Sequence, residues 1–178
     1  AAPPPDGVGG GPWVAPASET PRTRLAGVPK VCAVDVLWFL RETLGADITP
    51  PSMFDTAIWA DGILPSAVAG LLGAKWETGG FADLEAMRSR AADGEIVVGT
   101  VTHGPVGAHM FVMYRHPDGQ VWVHERKGNA VVDKPFDRWD EPSGPLHGIV
   151  LGVDGRPVAP LGEGESPGEA GRDLQIGR

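Results

Sequence analysis

Cysteine is nearly absent from this chain. The one thiol in 178 residues, Cys32, excludes an internal disulfide framework and any zinc site built on paired cysteines, so it is either inert or chemical. Basic residues are the minority, 15 Lys+Arg against 23 Asp+Glu for a formal net charge of −8. That balance leaves no electrostatic footprint for gripping phosphates, which argues against nucleic-acid binding and polybasic attachment to a membrane. No run approaches the roughly 18 consecutive apolar residues of a membrane span, and no internal repeat is visible. The Gly9-Gly10-Gly11 run follows no strand pattern and precedes no Gly-Lys-Ser/Thr, so it is no phosphate loop, and nothing in the chain calls for a cofactor.

Backbone punctuation, by contrast, is abundant, with 26 glycines and 18 prolines. Seven prolines and five glycines fall within residues 1–30, a composition in which no amphipathic period survives. Residues 1–22 therefore read as a Pro/Gly-rich linker. They do not read as a signal peptide, lacking a basic start and an apolar core of about 7–15 residues. From Gly152 to Arg178 there are seven glycines and three prolines, too little apolar surface to offset the entropy of ordering. The expected organisation is a linker over 1–22, one folded domain over 23–158 and a flexible tail over 159–178.

Within the domain, Val31 to Leu44 carries Val34, Leu37, Trp38 and Leu44 at helical spacing, with Pro29 upstream and Gly45 as a stop. The pattern predicts a helix so apolar that it is buried nearly all round, which makes Trp38 and Phe39 core residues. Further helices are predicted over 52–62 (Met53, Phe54, Ile58, Trp59), over Pro65 to Leu72, closed by Gly73, and over Phe81 to Ala92, closed by Asp93-Gly94. After Gly94 the period becomes extended. Residues 95–102, 109–114 and 120–125 are short runs rich in β-branched and aromatic side chains, and 129–133 and 146–153 add one or two strands. The turn signal Arg115-His116-Pro117-Asp118-Gly119 joins two of them into an antiparallel hairpin. Helices first and an antiparallel sheet after them define an α+β architecture.

Cys32 falls in the first turn of the long helix, where free backbone N–H groups and the positive end of the helix dipole stabilise a thiolate. Packing beneath Val36 and Phe39 is the alternative use of a small, buried thiol. A cysteine nucleophile needs a base, and His109, opening an apolar strand after Gly107-Ala108, is the best placed of the five histidines. His103 and His116 lie in loop-like surroundings that suit solvated rings, and His147 begins a late strand. A third group should fix the imidazole's orientation, and the next strand offers His124 and Glu125. Period two puts Val121, Val123 and Glu125 on one face and Trp122 and His124 on the other, so one of the pair can point at His109. Surface pairing of Glu125 with Arg126 or Lys127 is the competing use of that carboxylate.

A cysteine opening an apolar helix at Val31-Cys32, Gly107-Ala108-His109-Met110-Phe111-Val112, and Val123-His124-Glu125-Arg126-Lys127-Gly128 together resemble the papain-like cysteine hydrolases. More narrowly, the pattern is similar to the papain-fold toxin domains of bacterial polymorphic toxins, a group that includes protein-glutamine deamidases. The resemblance spans about residues 30–153 and rests on those three islands. It implies a papain-like fold and an acyl-enzyme mechanism. Cys32 attacks a carboxamide, His109 takes the thiol proton and returns it to the leaving ammonia or amine, His124 or Glu125 orients His109, and the backbone N–H of Cys32 supplies one oxyanion donor. For a second donor, residues 22–31 hold no Asn or Gln, and Gln120 and Asn129 are the nearest amides. The implied partner is a protein substrate in a target cell, with an immunity or activating protein as a further partner. The implied setting is secretion or delivery within a larger bacterial protein, which the Pro/Gly-rich leader suits.

Proteolysis and transglutamination proceed through the same acyl-enzyme and stay open. So does a non-catalytic protein-binding module on this scaffold, with Trp59, Trp76, Trp122 and Trp139 as interface anchors. A metal site from His103, His109, His116 or His124 with Asp118 lacks any recognised ligand spacing. The acidic group Asp133, Asp137, Asp140 and Glu141, interspersed with Lys134 and Arg138, reads as a solvated loop.

Overall fold

A computed structural model describes residues 32–52, 62–105, 107–128, 130–168, 170 and 175–177. The leader over 1–22 and the helix expected over 52–62 lie almost wholly outside the described residues. Among these residues three helices come first, α1 (Cys32–Glu42), α2 (Pro65–Leu72) and α3 (Leu84–Ala92). Six strands follow, β1 (Ile96–His103), β2 (Gly107–Arg115), β3 (Val121–Lys127), β4 (Ala130–Pro135), β5 (Leu146–Leu151) and β6 (Gln175–Ile176). The protein is thus α+β, with a sheet ordered β4-β3-β2-β1-β5 in which all these neighbours are antiparallel. β6 adds to β2 in parallel at Gly107 and Ala108.

Local chemistry accounts for the helix boundaries. Pro65 opens α2, and Gly73 closes it in the left-handed region at φ 63°. Asp83 caps α3 by accepting from the Ala86 N–H at 2.8 Å. Phe81, expected inside that helix, instead bonds its N–H to the Leu146 carbonyl at 3.0 Å. The turn after β2 closes with the His116 N–H on the Gln120 carbonyl and Gly119 at φ 88°, giving the hairpin that its residues predict.

Period two sorts the strands onto two cores. On one face Val98, Ala108, Met110, Val112, Tyr114 and Ile149 pack with α1 and α2. On the other, Val97, Val101, Phe111, Met113, Val123 and Val150 pack with α3, Trp139 and the 3-10 turn Phe136–Arg138. The sheet is therefore the middle of three layers, with α1 against β2 and β3 on one side and α3 against β1, β2 and β3 on the other. Gly99 and Gly148 are register partners on the α3 face. A Cβ at Gly99 would stand 2.6 Å from the Phe111 ring, and one at Gly148 2.8 Å from Phe81. Both glycines thus make room for aromatic rings.

Two expectations change. Asp133 is not in a solvated loop: it belongs to β4 and accepts from the Tyr114 hydroxyl at 2.8 Å. The described residues of the stretch expected as a flexible tail, 159–168, 170 and 175–177, pack along the body. The Leu161 N–H bonds the Gly73 carbonyl at 2.9 Å, the Trp76 N–H bonds Pro167 at 2.9 Å, and Ala170 and Ile176 are buried. Composition counts apolar residues, but here backbone hydrogen bonds to open edges and a few apolar anchors order the chain. Among the described residues, no helix is long and apolar enough to cross a membrane.

Candidate active site

Glu125 and His109 are brought together by register. β2 and β3 pair Phe111 with Glu125, and β1 and β2 pair Val101 with His109. His109, Phe111 and Glu125 therefore share the α3 face, since alternate residues of a strand point the same way. The imidazole Nε2 meets Glu125 Oε1 at 2.6 Å. The other carboxylate oxygen accepts from the Trp139 indole N–H, and Trp139 packs on Phe111 with ring centroids 5.2 Å apart. Lys127 Nζ lies 3.9 Å from the same oxygen. Glu125 is 1% exposed, so the pairing with Lys127 considered for it is made by a buried carboxylate that also bonds His109 and Trp139.

Cys32 approaches from the other layer. β3 covers the edge of β2 from Phe111 onward and β6 covers it at Gly107 and Ala108, which leaves His109 and Met110 facing neither strand. At this interruption the thiol at the head of α1 comes near enough to the imidazole to act on its charge. Cys32 is 6% exposed and also packs in the cluster that holds Val36 and Phe39. Structural burial and proximity to His109 thus coexist at one residue. The His109 side chain is 18% exposed and is the open part of the array.

The electrostatics follow from that flanking. Burial opposes a charge on His109, but the hydrogen bonds and charges of Cys32 and Glu125 prevail and lift its pKa from the ordinary 6.5 to about 9. Burial likewise pushes the Glu125 carboxyl upward, yet His109, Trp139 and the Lys127 charge bring it net below its usual value. At neutral pH the pair is an imidazolium and a carboxylate beside a sulfur.

His124 does not join them. Its strand neighbours face the opposite side, and its Nε2 meets Asp35 Oδ2 of α1 at 2.7 Å while its ring stacks on Phe39 at 3.8 Å. Of the two candidates left open by sequence, pleating brings Glu125 against His109 and turns His124 to the other face. Asp35 and Arg126 were not singled out by sequence, and both are buried on the α1 face, at 0% and 1% exposure. A charged residue inside so apolar a helix was the available signal for Asp35.

Of the remaining candidates, His103 is exposed, whereas His116 is half-buried and stacked on Trp122 at 4.1 Å. Trp76 and Trp139 are buried and Trp59 lies outside the described residues, which leaves Trp122 as the partly exposed member of the tryptophan set. Among the described residues no three His, Cys, Asp or Glu side chains are grouped to hold a metal. Gln120 bonds Asp118 in the turn at the far end of the hairpin, away from the array. Gln175, in β6, pairs with Gly107 two residues before His109. It is the described side-chain amide nearest the array along the sheet, and its distance along the chain hid it. No protein-family model, curated protein or solved structure matches the chain.

Proposed function

We propose that the protein is a cysteine-dependent amidohydrolase acting on a protein target, with Cys32 as nucleophile, His109 as acid and base, and Glu125 as the group that orients His109. The observation that carries this reading is the flanking of one imidazole by a thiol and a buried carboxylate on three separate elements. Such an arrangement does what a thiol alone cannot. The carboxylate fixes the ring and stabilises its charge, the charged ring stabilises the thiolate, and the imidazolium later protonates the leaving nitrogen.

The thiolate adds to a carboxamide carbon, and the tetrahedral oxyanion faces the backbone N–H at the head of α1. Collapse expels ammonia carrying the proton from His109. Water, deprotonated by His109, then cleaves the thioester to leave a carboxylate and the free thiol. With a glutamine side chain as substrate the outcome is deamidation, the use implied by the likeness to papain-fold toxin domains. A backbone amide or an amine acceptor would turn the same acyl-enzyme to proteolysis or transglutamination. A bacterial effector, delivered within a larger protein and met by a cognate partner, is the setting that this reading suits.

The test is the rate of Cys32 alkylation by iodoacetamide against pH, in the intact protein and in His109→Ala. A thiol far more reactive than a free one at neutral pH, and slowed in the variant, is expected. It would be followed by measuring ammonia release from glutamine-bearing proteins. A thiol that titrates like a free one with or without His109 would reduce the reading to a protein-binding scaffold.

A further inference from the structure

A second charged cluster is buried on the opposite face of β3. Asp35, His124 and Arg126 are all under 2% exposed. The imidazole is constrained from several sides: Asp35 Oδ2 at 2.7 Å from Nε2, Asp133 Oδ2 at 3.7 Å from Nδ1, and the Phe39 ring stacked at 3.8 Å and 6°. Tyr114 of β2 donates to Asp133, and Arg126 of β3 lies within the field of Asp35. The facing groups are thus Asp35 and Phe39 from α1, Asp133 from β4, Tyr114 from β2 and Arg126 from β3 itself.

Burying ions costs several kcal/mol each, roughly, and an apolar pair would hold a helix on a sheet at least as well. Position gives the cluster its use. Asp35 follows Cys32 by one helical turn, and His124 is the residue before Glu125. The tie therefore joins a residue one helical turn from Cys32 to the residue adjoining Glu125. We propose that Asp35 and His124 are positioning residues, whose buried bond pins the head of α1 to β3 and so sets the Cys32 thiol against the His109 imidazole. The inference rests on the hydrolase reading above and deepens it.

Cys32 alkylation against pH tests it in Asp35→Asn and in an apolar triple variant, Asp35→Leu with His124→Phe and Arg126→Met, chosen because removing a whole charged group often preserves stability. Both variants are expected to fold by near-UV dichroism and thermal melting. Their thiols should be about 10- to 100-fold slower at neutral pH, as small misplacements of reacting groups are, with the pH profile displaced toward that of a free thiol. A wild-type profile in either folded variant would overturn the inference, and so would failure of both to fold, since the pair would then be a requirement of the fold. If the wild-type thiol is itself ordinary and indifferent to His109→Ala, the hydrolase reading fails. A fast, His109-dependent wild-type thiol with unchanged variants fails the positioning role alone.

Discussion

His109 sits where three demands meet: burial that disfavours its charge, and a thiol and a carboxylate that require it. The second pair wins, and this has a sign that can be measured. Nuclear magnetic resonance titration of the ring should place its midpoint near 9. In Glu125→Gln, where the carboxylate is lost and the shape is kept, the midpoint should move to lower pH. A midpoint unmoved by that change would remove Glu125 from the role. The same shift is a stability statement. The raised pKa contributes stability that is complete below the ordinary 6.5 and is lost as pH rises through about 9. Denaturation midpoints should therefore decline across that window in the wild type and less so in His109→Ala. Glu125 acts in the other direction, its contribution fading as pH falls below the ordinary carboxylate range.

At the scale of elements, β3 serves both layers, because its consecutive residues His124 and Glu125 face opposite sides of the sheet. Their alternation was legible in sequence, and so were Cys32, His109 and the turn that joins β2 to β3. The choice between His124 and Glu125 was not, since it depends on which face of the sheet receives His109, and no local signal fixes that. Arg126 was also hidden, because an arginine at a strand end reads as solvated until a helix is laid over it. Gly99 shows the same dependence on tertiary context. Its missing Cβ gives space to Phe111, against which Trp139 packs as it holds Glu125. Gly99→Ala should destabilise the fold by about 1–3 kcal/mol through overpacking, read as a lower denaturation midpoint. Because the displaced ring supports Trp139, Cys32 alkylation should slow as well. A variant of wild-type stability would show that the ring yields freely.

Across the whole molecule, the order of helices before strands was readable from the change of period after Gly94. The fate of residues 159–178 was not. Glycine and proline content describes what a segment lacks, whereas the order of its described residues comes from partners supplied by the body: the Gly73 carbonyl for Leu161, the β2 edge for Gln175 and Ile176, and Lys75 for Glu165 at 2.9 Å. Truncation after Gly168 removes β6 and the buried side chain of Ile176. Losing that burial should cost about 2 kcal/mol, or roughly 5 °C in melting temperature. An unchanged melt would mean that the strand is a passenger.

The parallel pairing of β6 with β2 also sets an order in time. A ribosome releases β2 seconds before it releases Gln175 and Ile176, so the sheet beside His109 is finished by a late arrival. Until β6 has emerged, a nascent chain holds its thiol and imidazole in an incomplete frame.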